Sequence, residues 1–363
     1  MLEAFTLPIS ALALLLAFYG LHKVTDLYFV ESLELIAKRL RMTSDVAGAT
    51  LMAMGSSAPE LFTSLLALVK GIQHSNLGAG TIVGSAIFNI LVIVGASVMI
   101  RQAVLTWQPV IRDLSFYILS ILLLYYVFLD GLITLPEAWC FIGFYVVYLI
   151  ALPLWKKLLP YQDQVGDTAP LMKAEEDAAK RRHPLLFLLL SPIDYALSWT
   201  IPSVGRHPKL YLVTFFASIA MIAALSWVLV EAGVVLAEAL GVPGAIIGLT
   251  ILAAGTSVPD LMASIVVARQ GKGDMAVSNA VGSNIFDILI CLGLVWLVMI
   301  YVLGQPIPIS TENLNSSIVL LLATVASLLV LLVLQRWRIG RKAGLLLIAM
   351  YVLYLVAAVL GWV

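Results

Sequence analysis

A chain of 363 residues with 62% hydrophobic and only 12% charged residues is too apolar for a soluble globular domain, in which about a quarter of the residues are charged. The formal net charge is zero, so no global field would attract nucleic acid. The two cysteines lie in apolar runs without metal-ligand or disulfide spacing. The composition therefore predicts a polytopic membrane protein.

Crossing the hydrocarbon core takes about 20 apolar residues, and on that measure the sequence predicts an all-α bundle of ten transmembrane helices. They cover residues 5–33, 44–69, 77–99, 113–130, 134–155, 209–238, 244–268, 274–301, 315–335 and 342–362. The N-terminal segment has neither a basic flank nor a small-residue cleavage site. We therefore interpret it as a retained span rather than a signal peptide.

One connection, residues 156–208, is long. It begins with a polar run, YQDQVGDTAPLMKAEEDAAKRRH, and continues as LLFLLLSPIDYALSWTIP, an apolar stretch interrupted by Pro192, Asp194 and Pro202. We interpret the first part as a cytoplasmic loop and the second as an interfacial or re-entrant helix. This connection separates two predicted five-helix units, residues 1–155 and 209–363.

The lysines and arginines give the orientation, because cytoplasmic loops carry an excess of them. With ten spans and both termini outside, every basic residue except Lys23 and Lys70 falls on the inner side, and Arg112 is assigned to an inner loop. Making residues 185–201 a further span would move the cluster at 336–342 to the outer side. The charges therefore favour ten spans in a cell membrane.

The sequence contains an internal duplication. GATLMAMGSSAPELFTSL at residues 48–65 recurs as GLTILAAGTSVPDLMASI at 248–265, and GTIVGSAIFNILVIVG at 80–95 recurs as SNAVGSNIFDILICLG at 278–293. These motifs lie within two larger segments, 44–99 and 244–301. The repeated segments are five crossings apart and enter the membrane from opposite sides. An inverted repeat with broken helices at the bilayer midplane is the architecture of secondary transporters.

The repeated residues suit hard cations. Pro59 and Pro259 should break their helices and release the carbonyls of Gly55 and Gly255. Each repeat adds hydroxyl groups and one acid within the same turn. The first repeat supplies Ser56, Ser57 and Glu60, and the second supplies Thr256, Ser257 and Asp260. Oxygen ligands of this kind favour calcium, sodium and potassium, and no His/Cys cluster indicates zinc or copper.

The neighbouring spans carry a second polar set. Ser85 and Asn89 are four residues apart and share a helix face, as do Ser283 and Asp287. Gly80, Gly84 and Gly282 would let these helices approach closely. If all four elements converge, the three acids Glu60, Asp260 and Asp287 give a charge of −3, which a membrane interior does not tolerate without bound cations or protons.

At these motifs the sequence resembles the cation/calcium exchanger superfamily, and most closely its potassium-dependent sodium/calcium exchangers, which share Asp260, the GKGDMA loop and Asp287. The resemblance implies antiport of sodium against calcium by alternating access, with potassium carried alongside calcium. It also implies that Glu60 and Asp260 hold calcium and that Asp287 confers the potassium requirement. The remaining ligands implied are Ser56, Ser57, Ser85, Asn89, Thr256, Ser257 and Ser283, with the carbonyls of Ala53 and Ala253. The ions are cargo, lipids are the other partners, and no cofactor is expected.

Other functions stay open from the residues alone. Calcium/proton antiport would use the same acids, because carboxylates in a low-dielectric site can bind protons. An intramembrane aspartyl hydrolase would use Asp260 and Asp287 as a dyad but leaves the duplicated oxygen ligands unexplained. A passive channel would not need an inverted repeat with prolines at the midplane. Transport, not enzymatic catalysis, is therefore the predicted activity.

Overall fold

The computed structural model describes residues 3–58, 60–61, 75–161, 184–239, 253–308 and 314–359. Regular structure in these residues is helical apart from four strands of two residues each. The prediction of a mostly helical protein is therefore confirmed, although the strands were not anticipated.

The described part of the first half contains eight α-helices, three of which continue into π-helical segments. Their bounds are α1 Glu3–Val24, a π segment Thr25–Val30, α2 Glu31–Arg39, α3 Ser44–Ala47, a π segment Gly48–Met52, α4 Ala53–Ser56, α5 Ser75–Phe88, a π segment Asn89–Ile93, α6 Val94–Ile100, α7 Trp107–Phe128 and α8 Leu135–Leu158. Two strands, β1 Ala103–Val104 and β2 Leu132–Ile133, lie between α6 and α8.

The described part of the second half, from Gly273 onward, follows the order of elements that the first half shows from Ser75 onward. Its helices are α9 Pro184–Thr200, a 3₁₀ turn Pro208–Leu210, α10 Tyr211–Ala239, α11 Ala253–Thr256, α12 Val258–Arg269, α13 Gly273–Phe286, a π segment Asp287–Leu292, α14 Gly293–Leu303, α15 Leu314–Leu334 and α16 Arg341–Val359. Strand β3, Ile307–Pro308, precedes α15, and β4, Arg338–Ile339, precedes α16.

Helical structure occupies the described part of each of the ten predicted segments; residues 59, 62–69, 244–252 and 360–362 of those segments lie outside the described part. Among the described residues, six helical runs are long and apolar enough to cross a bilayer by length and composition. These are Pro8–Arg39, Ile82–Ile100, Trp107–Phe128, Leu135–Leu158, Pro208–Gly233 and Gly273–Leu303. The chain is therefore an integral membrane protein.

The fourth predicted segment began too late. Helix α7 starts at Trp107, six residues before the predicted boundary at 113. Thr106, the residue before it, has an extended backbone (φ −77°, ψ 116°). Arg112 and Asp113 consequently lie inside the helix, and assigning Arg112 to an inner loop was wrong.

Helix packing follows a reciprocal pattern between the two halves. Helix α7 packs against α13 while α15 packs against α5, and α8 packs against α14 while α16 packs against α6. The strands behave alike, because β1 pairs antiparallel with β4 and β2 pairs antiparallel with β3. Each contact thus joins an element of the first half to an element of the second.

The glycines of the duplicated motifs allow one close helix crossing. A methyl group on Gly282 would lie 2.7 Å from the Cα of Ala49, and one on Gly48 would lie 2.6 Å from the carbonyl oxygen of Met275. Backbone therefore packs directly on backbone where the Gly48–Met52 segment meets α13. Gly282 allows a close approach, as predicted, but its partner is Ala49 of the Gly48–Met52 segment rather than the helix of Gly80 and Gly84.

We expect Gly282→Ala to lower stability by about 1–3 kcal/mol, because backbone atoms cannot rearrange around the added methyl as a flexible side chain can. Gly143→Ala is the matched control, since nothing lies within 4 Å of the methyl it would add. The measurement is the midpoint of thermal unfolding in detergent for both variants. Equal midpoints would contradict the close crossing.

Candidate functional site

Two broken helices form the centre of the site. Helix α4 ends at a turn centred on Ser57 (φ −85°, ψ 7°), and α11 ends at an equivalent turn at Ser257 (φ −84°, ψ 3°). The break is the predicted one, although it lies two residues before each proline. Pro259 is the second residue of α12, a position that tolerates the missing amide, and Pro59 lies outside the described residues.

The two turns lie next to each other, one from each repeat. The Ser257 hydroxyl donates to Glu60 Oε1 at 3.2 Å, and the Thr256 side chain also contacts Glu60. Ser257 Oγ lies 2.5 Å from Ser85 Oγ. The acid of the first repeat is therefore held by hydroxyls of the second repeat, as the predicted convergence requires.

Asp260 is the best-partnered acid of the site. The Ser283 hydroxyl donates to its Oδ1 at 2.7 Å, and Asn89 Nδ2 lies 3.5 Å from its Oδ2. The Ser56 side chain also contacts Asp260. Both oxygens of this carboxylate thus have protein donors.

Asp287 begins the π-helical segment of α13–α14 and is fully buried. The Cys291 thiol donates to its Oδ1 at 3.5 Å, and Ser57 lies beside it. Asn89, its counterpart in the duplication, begins the equivalent π segment. Such segments recur at functional sites because the widened turn disturbs the backbone hydrogen-bond ladder.

Several oxygens at the site are buried without a hydrogen-bond partner. They are Ser57 Oγ, Glu60 Oε2, Asn89 Oδ1, Tyr145 Oη and Asp287 Oδ2. A buried polar atom without a partner costs about 1–3 kcal/mol, and more when it is charged. These unpaired atoms lie mainly around Glu60 and Asp287, in contrast to Asp260.

The three carboxylates lie close enough to interact electrostatically, and no lysine or arginine of the described ranges pairs with them. The described residues also contain no group of three acidic, histidine or cysteine side chains arranged as a metal site. A cation held here must therefore use hydroxyl, amide and carbonyl oxygens beside the carboxylates. Calcium and sodium accept such mixed oxygen shells.

The predicted carbonyl ligands stay a prediction. Ala53 carbonyl accepts the Ser57 amide at 2.9 Å, which leaves its second lone pair for a cation. Ala253 is the first residue of α11.

Sequence analysis missed three polar side chains of the site. Asn279 donates to Ser264 Oγ at 3.0 Å and lies 3.4 Å from Ser56 Oγ, while Asn284 accepts from Asn89 at 2.9 Å. Tyr117 of α7 contacts Asn284 at 3.0 Å. The signal for Asn279 and Asn284 was their place in SNAVGSNIFD; Tyr117 has no sequence signal.

A second buried polar cluster lies near one end of the same helices. Arg112, with no exposed surface, donates from Nε to Asp113 Oδ1 at 2.8 Å and from Nη2 to Asp45 Oδ2 at 3.1 Å. Asp113 also accepts from Tyr148 at 3.1 Å and from Ser278 at 3.2 Å. Helix α7 is thereby tied to α3, α8 and α13.

Tyr161, three residues after the end of α8, is also part of this cluster. Its hydroxyl donates to Asp45 Oδ2 at 2.7 Å. Burial and the adjacent carboxylate raise the pKa of Tyr161, so it stays protonated and remains a donor. In this cluster an arginine pairs with the carboxylates, whereas at the Glu60 site no basic side chain of the described residues does.

Comparison with known proteins gives consistent matches along almost the whole chain. A family profile described as sodium/calcium exchanger protein matches residues 10–153 and 210–360. Sodium/potassium/calcium exchanger 2 of Gallus gallus is 30% identical over 97% of this chain and 77% of its own length. Sodium/potassium/calcium exchanger 5 of Homo sapiens is 30% identical over 92% of this chain and 79% of its own length.

Solved structures show the same fold. The sodium-calcium exchanger NCX_Mj, soaked with 2.5 mM Na⁺ and 10 mM Sr²⁺, superposes with a TM-score of 0.68. The alignment covers 97% of this chain and 99% of that protein, at 23% identity.

Proposed function

Because this chain belongs to the sodium/calcium exchanger protein family, we propose that it is a secondary antiporter that exchanges sodium for calcium across a membrane. One observation carries the proposal. Three buried carboxylates and several unpartnered oxygens lie where two broken helices meet, and no basic side chain of the described residues neutralises them. Cations supply the missing positive charge.

We further propose that the molecule is an inverted repeat of five plus five transmembrane helices. The reciprocal packing of α7 on α13 and of α15 on α5 supports this arrangement, as do the two strand pairs. Asn89 and Asp287 begin π segments at matched positions of the duplication. Units 1–155 and 209–363 would then rock about the central site, with 156–208 as the inner connection and both termini outside.

Charge balance explains the exchange. Glu60 and Asp260 hold calcium together with the hydroxyls of Ser56, Ser57, Thr256 and Ser257 and the carbonyls of Ala53 and Ala253. Ser85, Asn89, Ser283 and Asp287 line the same cavity. One calcium and one potassium neutralise a charge of −3, and sodium ions can do so instead. An empty site would keep its charge and resist passing an apolar gate, so movement of one ion requires exchange for the other.

Asp287 is the proposed potassium ligand, because its Oδ2 is buried without a partner. We expect calcium uptake into sodium-loaded proteoliposomes to require potassium in the wild type. We expect Asp287→Asn to keep sodium-driven uptake and lose the potassium requirement, because a charge of −2 needs calcium alone. Uptake of radioactive calcium with potassium present or absent measures both. Wild-type uptake indifferent to potassium would refute the assignment to Asp287.

Proton coupling is the second candidate, favoured by the same unpartnered oxygens of Glu60 and Asp287. A proton on each would also neutralise the cavity before a conformational change. The deciding measurement is calcium uptake driven by a pH gradient in vesicles without sodium. Uptake under that condition, with none under a sodium gradient, would show that protons and not sodium are the counter-ion.

A further inference from the structure

Asn284 lies where the two halves of the duplication touch. It occupies the position that Ala86 occupies in the first repeat, and its Nδ2 donates to the carbonyl oxygen of Ala86 at 3.0 Å. The same Nδ2 lies 3.0 Å from Tyr117 Oη. Asn284 and Tyr117 are both fully buried. The duplication is therefore asymmetric here, with one amide side chain crossing between the repeats.

The Ala86 carbonyl fixes the orientation of Asn284. A backbone carbonyl can only accept a hydrogen bond, so the amide nitrogen of Asn284 must point to it. The amide oxygen must then point the other way, where it accepts from Asn89 Nδ2 at 2.9 Å. No alternative orientation of Asn284 satisfies both neighbours.

The same argument fixes Asn89. Its Nδ2 donates to Asn284 Oδ1 at 2.9 Å and lies 3.5 Å from Asp260 Oδ2. Its oxygen is therefore turned away from both, and this Oδ1 is one of the buried atoms without a partner. A chain of hydrogen bonds that starts at Tyr117 and Ala86 thus ends in a buried amide oxygen without a partner, on the residue whose nitrogen lies 3.5 Å from Asp260 Oδ2.

We infer that Tyr117 and Asn284 are positioning residues that hold the Asn89 amide oxygen toward the transported cation, an inference that rests on the proposed cation site. Neither side chain is itself a proposed ligand. Tyr117 acts from α7, which the Arg112 cluster ties to α3 and α13, so its hydroxyl is a fixed reference point. Removing a side chain that orients a ligand without touching the ion typically lowers cation affinity about 10–100-fold.

The test is Tyr117→Phe, which removes one hydroxyl and keeps the ring. We expect the calcium concentration for half-maximal uptake to rise about 10-fold, at the lower end of that range, with little change in maximal rate. Tyr351→Phe is the matched control and should leave the half-maximal concentration unchanged. Tyr351 is a buried tyrosine in edge-to-face contact with Phe88, which precedes Asn89 in the chain.

A double-variant comparison separates positioning from a structural role. If Tyr117 acts through Asn89, then Tyr117→Phe should have no further effect on calcium affinity in a protein that already carries Asn89→Ala. Additive losses of affinity would overturn the inference, and so would a Tyr117→Phe variant that matches the wild type.

Calcium binding, measured as a calcium-dependent rise in the thermal unfolding midpoint, is recorded in parallel with uptake. A wild type that binds calcium but shows no sodium-driven uptake would overturn the exchange function, and the binding shifts of the variants would still decide the positioning role. A wild type that binds neither calcium nor sodium would overturn both.

Discussion

Glu60→Gln is expected to abolish sodium-driven calcium uptake. The substitution keeps the size of the side chain and removes one negative charge from a fully buried site. A unit charge about 4 Å from another contributes roughly 4 kcal/mol at the effective dielectric of a protein. Because calcium carries two charges, the loss of calcium affinity is at least about a thousand-fold. Asp260→Asn should have an effect of the same order.

The experiment measures uptake of radioactive calcium into sodium-loaded proteoliposomes at several calcium concentrations. Glu231→Gln is the control, because Glu231 is an exposed acid on α10 that contacts Trp227 and is expected to leave uptake unchanged. Protein that elutes as a single species in detergent must be used for each variant. Full uptake by Glu60→Gln would remove Glu60 from the cation site and with it the proposed mechanism.

Local sequence was enough to predict the broken helices, and the internal duplication was enough to predict the convergence of the acids. Glycine, serine and proline in one turn determine the local backbone, and Ser57 and Ser257 accordingly form the breaks. An inverted duplication also predicts that its two copies meet, as Glu60 of the first copy and Ser257 of the second do. The first prediction depends on a few neighbouring residues, and the second depends on a repeat that is visible in the sequence itself.

Contacts between distant elements could not be predicted in the same way. Tyr117 is one of several aromatic residues on α7, and only the packing of α7 on α13 selects it as the partner of Asn284. The π segments have no sequence signature either. Their positions at Asn89 and Asp287 depend on how each helix packs within the folded molecule.

Arg112 shows why hydropathy misplaces a charged residue. Reading by hydropathy started the span at 113, just after Arg112, because it treats the arginine charge as unpaired. The structure places Arg112 and Asp113 inside α7, where Asp45, distant in sequence, and Asp113 supply the compensating charges. Burial of the pair depends on a partner that no local window contains.

Two buried clusters therefore differ in one respect that matters for function. The Arg112 cluster contains its own cation and is permanently paired, whereas the Glu60 cluster has none within the described residues. A paired cluster fixes the helices that it joins, and an unpaired cluster must draw ions from outside. Separating these roles lets α13 hold its site residues in place while the bound ion changes.

Arg112→Leu is expected to destabilise the folded protein by about 3–5 kcal/mol. The change leaves Asp45 and Asp113 buried without their positive partner, and an uncompensated buried charge is the main cost of breaking such a pair. The thermal unfolding midpoint should fall by roughly 5 °C or more. Arg338→Ala, at an exposed arginine of β4, is the control and should shift the midpoint little.

A triple variant tests whether charge is the cause. Combining Arg112→Leu with Asp45→Asn and Asp113→Asn removes all three charges, and replacing a whole buried ion cluster by neutral groups is often close to neutral in stability. We therefore expect the triple variant to recover most of the lost midpoint. If it is as unstable as Arg112→Leu alone, the arginine stabilises the helices through its packing and hydrogen bonds, and charge compensation is not its role.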